Sequence, residues 1–212
     1  MFNINSIISN LLFTLPAIVI ALTFHEYAHA RVAYAFGDMT AKNAGRLTLN
    51  PFKHLDLVGT LLLIFASFGW AKPVPINPFF FRGNRQRKIM LVSLAGPLMN
   101  LLEALVGAIL YTLIYHFAPY NSVFNYLYNL LYYFIQINII LAVFNILPIS
   151  PLDGSKILAG LLPYDKMEIV FKYERYGMFI LIALMFTGIL GKIIMPITSA
   201  IFTLLMRLCG LY

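Results

Sequence analysis

Apolar positions in this chain gather into long blocks near residues 7–35, 57–70, 89–117, 123–147 and 176–212, separated by short polar stretches. A helix needs about 20 consecutive apolar residues to cross a bilayer. Blocks 89–117 and 123–147 therefore predict two full spans, the second opening on Tyr126, Tyr128, Tyr132 and Tyr133 as an interfacial aromatic belt. Block 7–35 is also long enough, but its second half contains Thr23, His25, Glu26, His29 and Arg31. Lipid tolerates such a set only where it is buried and used. Block 57–70, at 14 residues, is short for a crossing. Block 176–212 is broken by Gly188, Gly191, Lys192 and Pro196, and reads either as one crossing plus an interfacial helix or as two short crossings.

The polar stretches carry local signals of their own. Residues 44–51 (Ala44-Gly45-Arg46-Leu47-Thr48-Leu49-Asn50-Pro51) alternate roughly with period two and predict a short strand or hairpin ending at Pro51. Such an edge could hold an unwound peptide by strand addition. Pro148 and Pro151 stop the helix of 123–147. The pattern as a whole predicts an α-helical polytopic membrane protein, a single membrane-embedded domain over 1–212. It has five to six membrane segments, one of them re-entrant, and a short β element near the functional site.

Composition agrees: 61% of residues are hydrophobic, 11% are charged, and mean hydropathy is +0.83. Soluble domains run near 45–50% apolar and about 25% charged. The single cysteine, Cys209, excludes a disulfide scaffold. A net charge of +7 would suggest nucleic acid in a soluble protein. Here all but Lys192 and Arg207 of the 15 Lys and Arg residues fall on one inferred face, which the positive-inside rule makes cytoplasmic. The excess is orientation, and no nucleic-acid partner is needed. Basic flanks on both sides of 57–70 put both its ends on that face and predict a re-entrant arm, with a thin span as the competing reading. No Lys or Arg precedes Arg31, so the start lacks the charge of a cleavable signal and belongs on the other side.

The chemistry centres on His25-Glu26-Tyr27-Ala28-His29. On a helix, positions i and i+4 share a face, so two imidazoles can converge on one metal ion while Glu26 stands beside it. Zinc with three protein ligands and an open position makes hydroxide available at neutral pH. A pair of structural histidines is the plainer alternative, and the cost of burying three ionisable groups in lipid weighs against it. The candidates for the third ligand are Asp38, Asp56, Glu103, Asp153, His54 and His116. Asp38, His54 and Asp56 lie in a polar segment, Glu103 sits deep in its span, and His116 belongs at the opposite face. Asp153 follows the cytoplasmic end of the 123–147 helix, where Pro148 and Pro151 break the backbone and let a carboxylate project into the bundle. A helix-capping role before Gly154-Ser155 is its alternative.

With these residues in view, the chain resembles the site-2 protease family of intramembrane zinc metalloproteases. The resemblance rests on HExxH near the end of one membrane helix and Asn145-Ile146-Leu147-Pro148-Ile149-Ser150-Pro151-Leu152-Asp153-Gly154 at the end of a later one. It extends to Gly37-Asp38, residues 45–51, His54-Leu55-Asp56, Trp70-Ala71-Lys72-Pro73-Val74-Pro75 and Ala95-Gly96-Pro97-Leu98-Met99-Asn100. The chain is similar to the compact prokaryotic members without PDZ or CBS domains. The resemblance implies one Zn2+ per chain held by His25, His29 and Asp153, with Glu26 as catalytic base. Asn145 and Asn100 would line the site, binding substrate or stabilising the transition state. The substrate would be a transmembrane or membrane-anchored protein, cut near the cytoplasmic face of the cell membrane. The role of Glu103 stays open. A metal transporter or an inactive scaffold of the same fold is the alternative. It is weakened by the gathering of polar residues at one end and by the retained Glu26.

Overall fold

The computed structural model describes the backbone of residues 4–66 and 69–211, and the side chains of these apart from 4–10, 63–66, 164–165, 167–169, 171 and 173. Eight α-helices are present among the described residues: α1 (Ile4–Ala35), α2 (Thr40–Asn43), α3 (Leu57–Ala66), α4 (Arg85–Phe117), α5 (Ser122–Ile146), α6 (Asp153–Leu161), α7 (Tyr164–Phe186) and α8 (Ile189–Leu208). Four are long and apolar enough to cross a membrane: α1 over Leu11–Ala35, α4, α5 and α8. The starts of α4 and α5 are set by asparagine caps. Asn84 accepts from the Arg87 N–H, and Asn121 from the N–H groups of Val123 and Phe124.

The long helix α4 is the centre of the fold, packing along α5 and α1 and across α6. A core of Ala104, Ala108, Ile135, Ile139 and Val143 fills the α4–α5 interface, and Leu190, Ile194 and Met206 of α8 complete it. The turn between α5 and α6 is drawn tight by two glycines. A Cβ on Gly154 would strike the carbonyls of Ile146 and Leu147, and one on Gly177 of α7 would strike Ser150. These contacts fix where α6 begins, and therefore where Asp153 stands.

One expectation meets a different outcome. No strand forms over 44–50; the segment is turn and bend. The reason is a competing helix cap. Gly45 adopts φ +66°, its N–H bonds to the Lys42 carbonyl, and the Arg46 N–H reaches back to Ala41. That is the Schellman pattern, in which a left-handed residue ends a helix. It uses the backbone that a strand would need, and the edge proposed for peptide binding is not formed there. The one ladder contact among the described residues is an isolated antiparallel bridge between Leu55 and Ala71. In line with the short block 57–70, α3 has 10 residues among the described ones. At 1.5 Å per residue it spans about 15 Å, half a hydrocarbon core. The apolar block 176–212, read as one crossing plus an interfacial helix or as two short crossings, holds the second half of α7 and all of α8, which Gly188 separates with φ +70°. The charges of Lys166, Lys172, Glu174 and Arg175 ride on the first half of α7.

Candidate metal centre

His25 and His29 lie on one face of α1 and both are buried. Their Nε2 atoms are 3.0 Å apart. Asp153, the first residue of α6, completes the group: its Oδ2 lies 3.3 Å from His25 Nε2 and 3.1 Å from His29 Nε2. Among the described residues this trio is the group of His, Cys, Asp and Glu side chains whose ligand atoms converge closely enough for a metal ion. Four-coordinate zinc with bonds of about 2.0–2.1 Å places neighbouring ligand atoms about 3.3 Å apart. The observed triangle matches that edge length closely.

Hydrogen bonds on the far side of each ring decide which nitrogen is free. His29 Nδ1 is 2.7 Å from the Val92 carbonyl oxygen. A carbonyl only accepts, so Nδ1 donates and Nε2 keeps its lone pair. His25 Nδ1 is 2.6 Å from Asn100 Oδ1 and donates to it in the same way. Both imidazoles therefore present Nε2 lone pairs to one point, as metal-bound histidines do when a second partner fixes their tautomer. The Asp153 carboxyl group faces the two imidazoles, and no side chain caps the start of α6.

Space for an ion comes from Gly96 on α4. A Cβ there would run into His29 Nε2 and His25 Cε1 and lie 2.6 Å from His25 Nε2. The three donors and this glycine cradle fit a zinc-sized ion.

Glu26 is buried next to the trio, and its Oε2 accepts a 2.8 Å hydrogen bond from the Val74 N–H. Pro73 and Pro75 flank Val74 and have no N–H to offer, so the Val74 amide is the donor this stretch supplies. The stretch is itself clamped. Arg46 Nη2 donates to the Lys72 carbonyl at 2.6 Å, the Lys72 N–H donates to the His54 carbonyl, and His54 Nε2 donates to the Thr48 carbonyl at 2.8 Å. A cavity of about 160 Å³ opens over the group, walled by His25, Glu26, His29, Asn145, Asp153 and Lys156 among others.

The two asparagines occupy different places. Asn145 lines the cavity, with its Nδ2 donating to the Leu141 carbonyl at 3.0 Å. Asn100 is fully buried behind His25, on the ring's Nδ1 side. Its Nδ2 donates to Asn138 Oδ1 at 2.8 Å and to the Ala21 carbonyl at 3.3 Å. Glu103, one turn further along α4, is buried and its Oε2 has no hydrogen-bond partner. Of the remaining acids weighed as ligands, Asp38 accepts from the N–H groups of Thr40 and Asn77, and Asp56 caps α3 through the Gly59 N–H. The Val74 amide, Gly96 and the Arg46 clamp escape sequence reasoning, since a backbone N–H and a missing methyl have no side-chain signature.

Among the described residues, a bundle with four membrane-suited helices brings two histidines and an aspartate together at one point that could hold a metal ion. Comparison with known proteins agrees: Peptidase family M50 matches residues 13–188. The chain belongs to that family, the site-2 protease family. It is similar to proteins named Putative zinc metalloprotease: YwhC of Bacillus subtilis (strain 168), 40% identical over 86% of this chain and 84% of the relative. Rip2 of Mycolicibacterium smegmatis is 30% identical over 82% of this chain and 66% of the relative. Rip2 of Mycobacterium tuberculosis (strain H37Rv) is 33% identical over 71% and 56%. No solved structure matches.

Proposed function

We propose that this protein is a zinc-dependent intramembrane endopeptidase that hydrolyses peptide bonds in transmembrane segments or membrane-anchored peptides near the cytoplasmic face of the cell membrane. The observation that carries this reading is the convergence of His25 Nε2, His29 Nε2 and Asp153 Oδ2 at 3.0–3.3 Å, with Glu26 beside them in one cavity. One zinc per chain would be held by those three residues, supplying Lewis-acid polarisation of the scissile carbonyl and activation of water.

Everything else is done by the chain. Glu26 is the general base: it takes the proton of the attacking water and passes it to the leaving amine. The Val74 N–H occupies Oε2, so Oε1 is the oxygen available for that proton. Asn145, in the cavity wall, is placed to donate to the oxyanion as the carbonyl becomes tetrahedral. Asn100 acts through His25, not on the substrate. Orientation follows from charge: Lys42, Arg46, Lys53, Lys72 and the Arg82–Lys88 cluster all lie in the segments around the site, which the positive-inside rule makes cytoplasmic. In this reading α7 is a fifth membrane segment through its apolar half, α3 is the re-entrant arm, and the whole is a single domain.

The test is Glu26→Gln, assayed for zinc content and for cleavage of a model transmembrane substrate. Retained zinc with cleavage lost supports the protease. Full cleavage by the variant overturns it, and transport of zinc across vesicles by wild type without cleavage would favour a transporter.

A further inference from the structure

The two histidines of the cluster are held in different ways. His29 is locked by a backbone carbonyl, which has a single role. His25 is locked by Asn100, a side-chain amide that could in principle turn over and present its NH2 end instead. What prevents this lies one residue further out. Asn138 on α5 is fully buried, and its Nδ2 donates to the Phe134 carbonyl at 3.0 Å. Phe134 can only accept, so Asn138 must turn its NH2 toward it and its Oδ1 toward Asn100. Asn100 must then offer Nδ2 to Asn138, at 2.8 Å, and Oδ1 to His25, at 2.6 Å. The Ala21 carbonyl reinforces this direction from a longer 3.3 Å. The chain of bonds crosses three helices and ends on the ring nitrogen opposite the metal ligand atom.

Resting on the zinc-protease reading above, we infer that Asn138 is a positioning residue for the metal centre: through Asn100 it keeps the His25 proton on Nδ1 and the lone pair on Nε2. Were Asn100 to turn over, its NH2 would face Nδ1 and draw a lone pair there. The ring proton would move to Nε2, where it blocks a metal bond. Asn138 stands outside the cavity and touches neither substrate nor ion, so its effect is on the form of His25 alone.

The inference is tested on the full chain in detergent, first without metal; the spectra use His29→Ala and Asp153→Ala proteins, in which no second partner faces His25 Nε2. In 15N spectra of labelled histidines, wild-type His25 carries its proton on Nδ1, whereas Asn138→Leu and Asn138→Ala, which remove the acceptor, give a mixture of tautomers. Asn138→Asp restores the wild-type signal, because a neutral carboxyl in this apolar setting offers Asn100 an acceptor oxygen and Phe134 an O–H. Zinc affinity, measured against a competing chelator, falls roughly 10–100-fold in Asn138→Leu, the cost expected of losing an outer partner of a ligand. It returns close to wild type in Asn138→Asp. In an Asn100→Ala background, adding Asn138→Leu causes no further loss, since the two act as one path. A single His25 tautomer in Asn138→Leu and Asn138→Ala overturns the inference. So do wild-type zinc affinity in Asn138→Leu, additive losses in the double variant, and a zinc loss that vanishes when the variants are compared at equal folded fraction. Absence of zinc from the wild type would instead refute the zinc reading, and the metal-free spectra separate the two failures.

Discussion

Gly96 of α4 stands directly against His29 of α1, so close that a methyl group on Gly96 would overlap His29 Nε2. The same methyl would lie 2.6 Å from His25 Nε2. Gly96→Ala is therefore expected to remove zinc binding, lowering affinity at least tenfold, and to abolish cleavage. Glycine inside a helix costs about 1 kcal/mol relative to alanine, so the substitution should not weaken α4 itself. Thermal melting together with zinc titration checks this. Loss of zinc without loss of melting temperature is the expected pair, and stoichiometric zinc in the variant would show that the cradle is not where the ion sits.

Asp153 and Asp56 provide a matched contrast between a ligand and a cap. The Asp153 carboxylate faces two imidazole nitrogens, whereas Asp56 accepts from the Gly59 N–H at 2.9 Å at the start of α3. Asp153→Asn keeps the shape and drops the charge, and should weaken zinc by more than the roughly 10–100-fold typical of an outer-partner loss. Asp56→Ala should cost about 1 kcal/mol of stability, as loss of an N-cap does, and leave zinc untouched. Zinc affinity and melting of both variants, measured side by side, check the assignment. If Asp56→Ala weakened zinc as much as Asp153→Asn, the ligand assignment would fall.

How far the molecule could be read from its sequence depends on the range of each interaction. HExxH is legible because its geometry is local: four residues on a helix bring His25 beside His29 whatever else the chain does. Asp153 is legible because Pro148 and Pro151 end α5 at the level where α1 carries its histidines. The spans of α4 and α5 follow from hydropathy, since lipid leaves the backbone no alternative to a helix. Residues 44–50 misled because period-two alternation is a weak signal, and the left-handed turn at Gly45 overrides it by ending α2. Asn138 pairs with Asn100, 38 positions away, and only packing identifies the pair. The donor to Glu26 is a backbone amide, which any residue but proline would supply.

Arg46 is the fixed point of the segment that reaches Glu26. Its side chain is buried and donates to the Lys72 carbonyl, two residues before Val74. Arg46→Gln should free the 70–76 stretch, seen as faster proteolysis there, and lower kcat about tenfold, since hydrogen bonds to charged groups contribute about 1.5–3 kcal/mol. Zinc content should hold, because no ligand rests on this segment. Unchanged proteolysis and unchanged kcat would show that the clamp is not needed to keep Val74 in place.

Val74 makes the sharpest case for a role carried by the backbone alone. Its N–H bonds to Glu26 Oε2 at 2.8 Å and comes from the middle of Pro73-Val74-Pro75. Val74→Pro deletes that hydrogen and also trims a buried side chain that packs with Ala30 and Ala41. Val74→Ala keeps the hydrogen and trims the side chain. A carboxylate that loses a charge-assisted hydrogen bond forfeits about 1.5–3 kcal/mol, or roughly tenfold to a hundredfold. Here the loss falls on the placement of the base and not on the binding of the ion. Val74→Pro is expected to lower kcat by that factor with zinc affinity unchanged and KM moved by less than about threefold. Val74→Ala should stay near wild type in all three. Equal kcat losses in the two variants would assign the effect to the side chain. A loss of zinc in Val74→Pro would mean that the segment supports the ligands, and that the Val74 amide is not what orients Glu26.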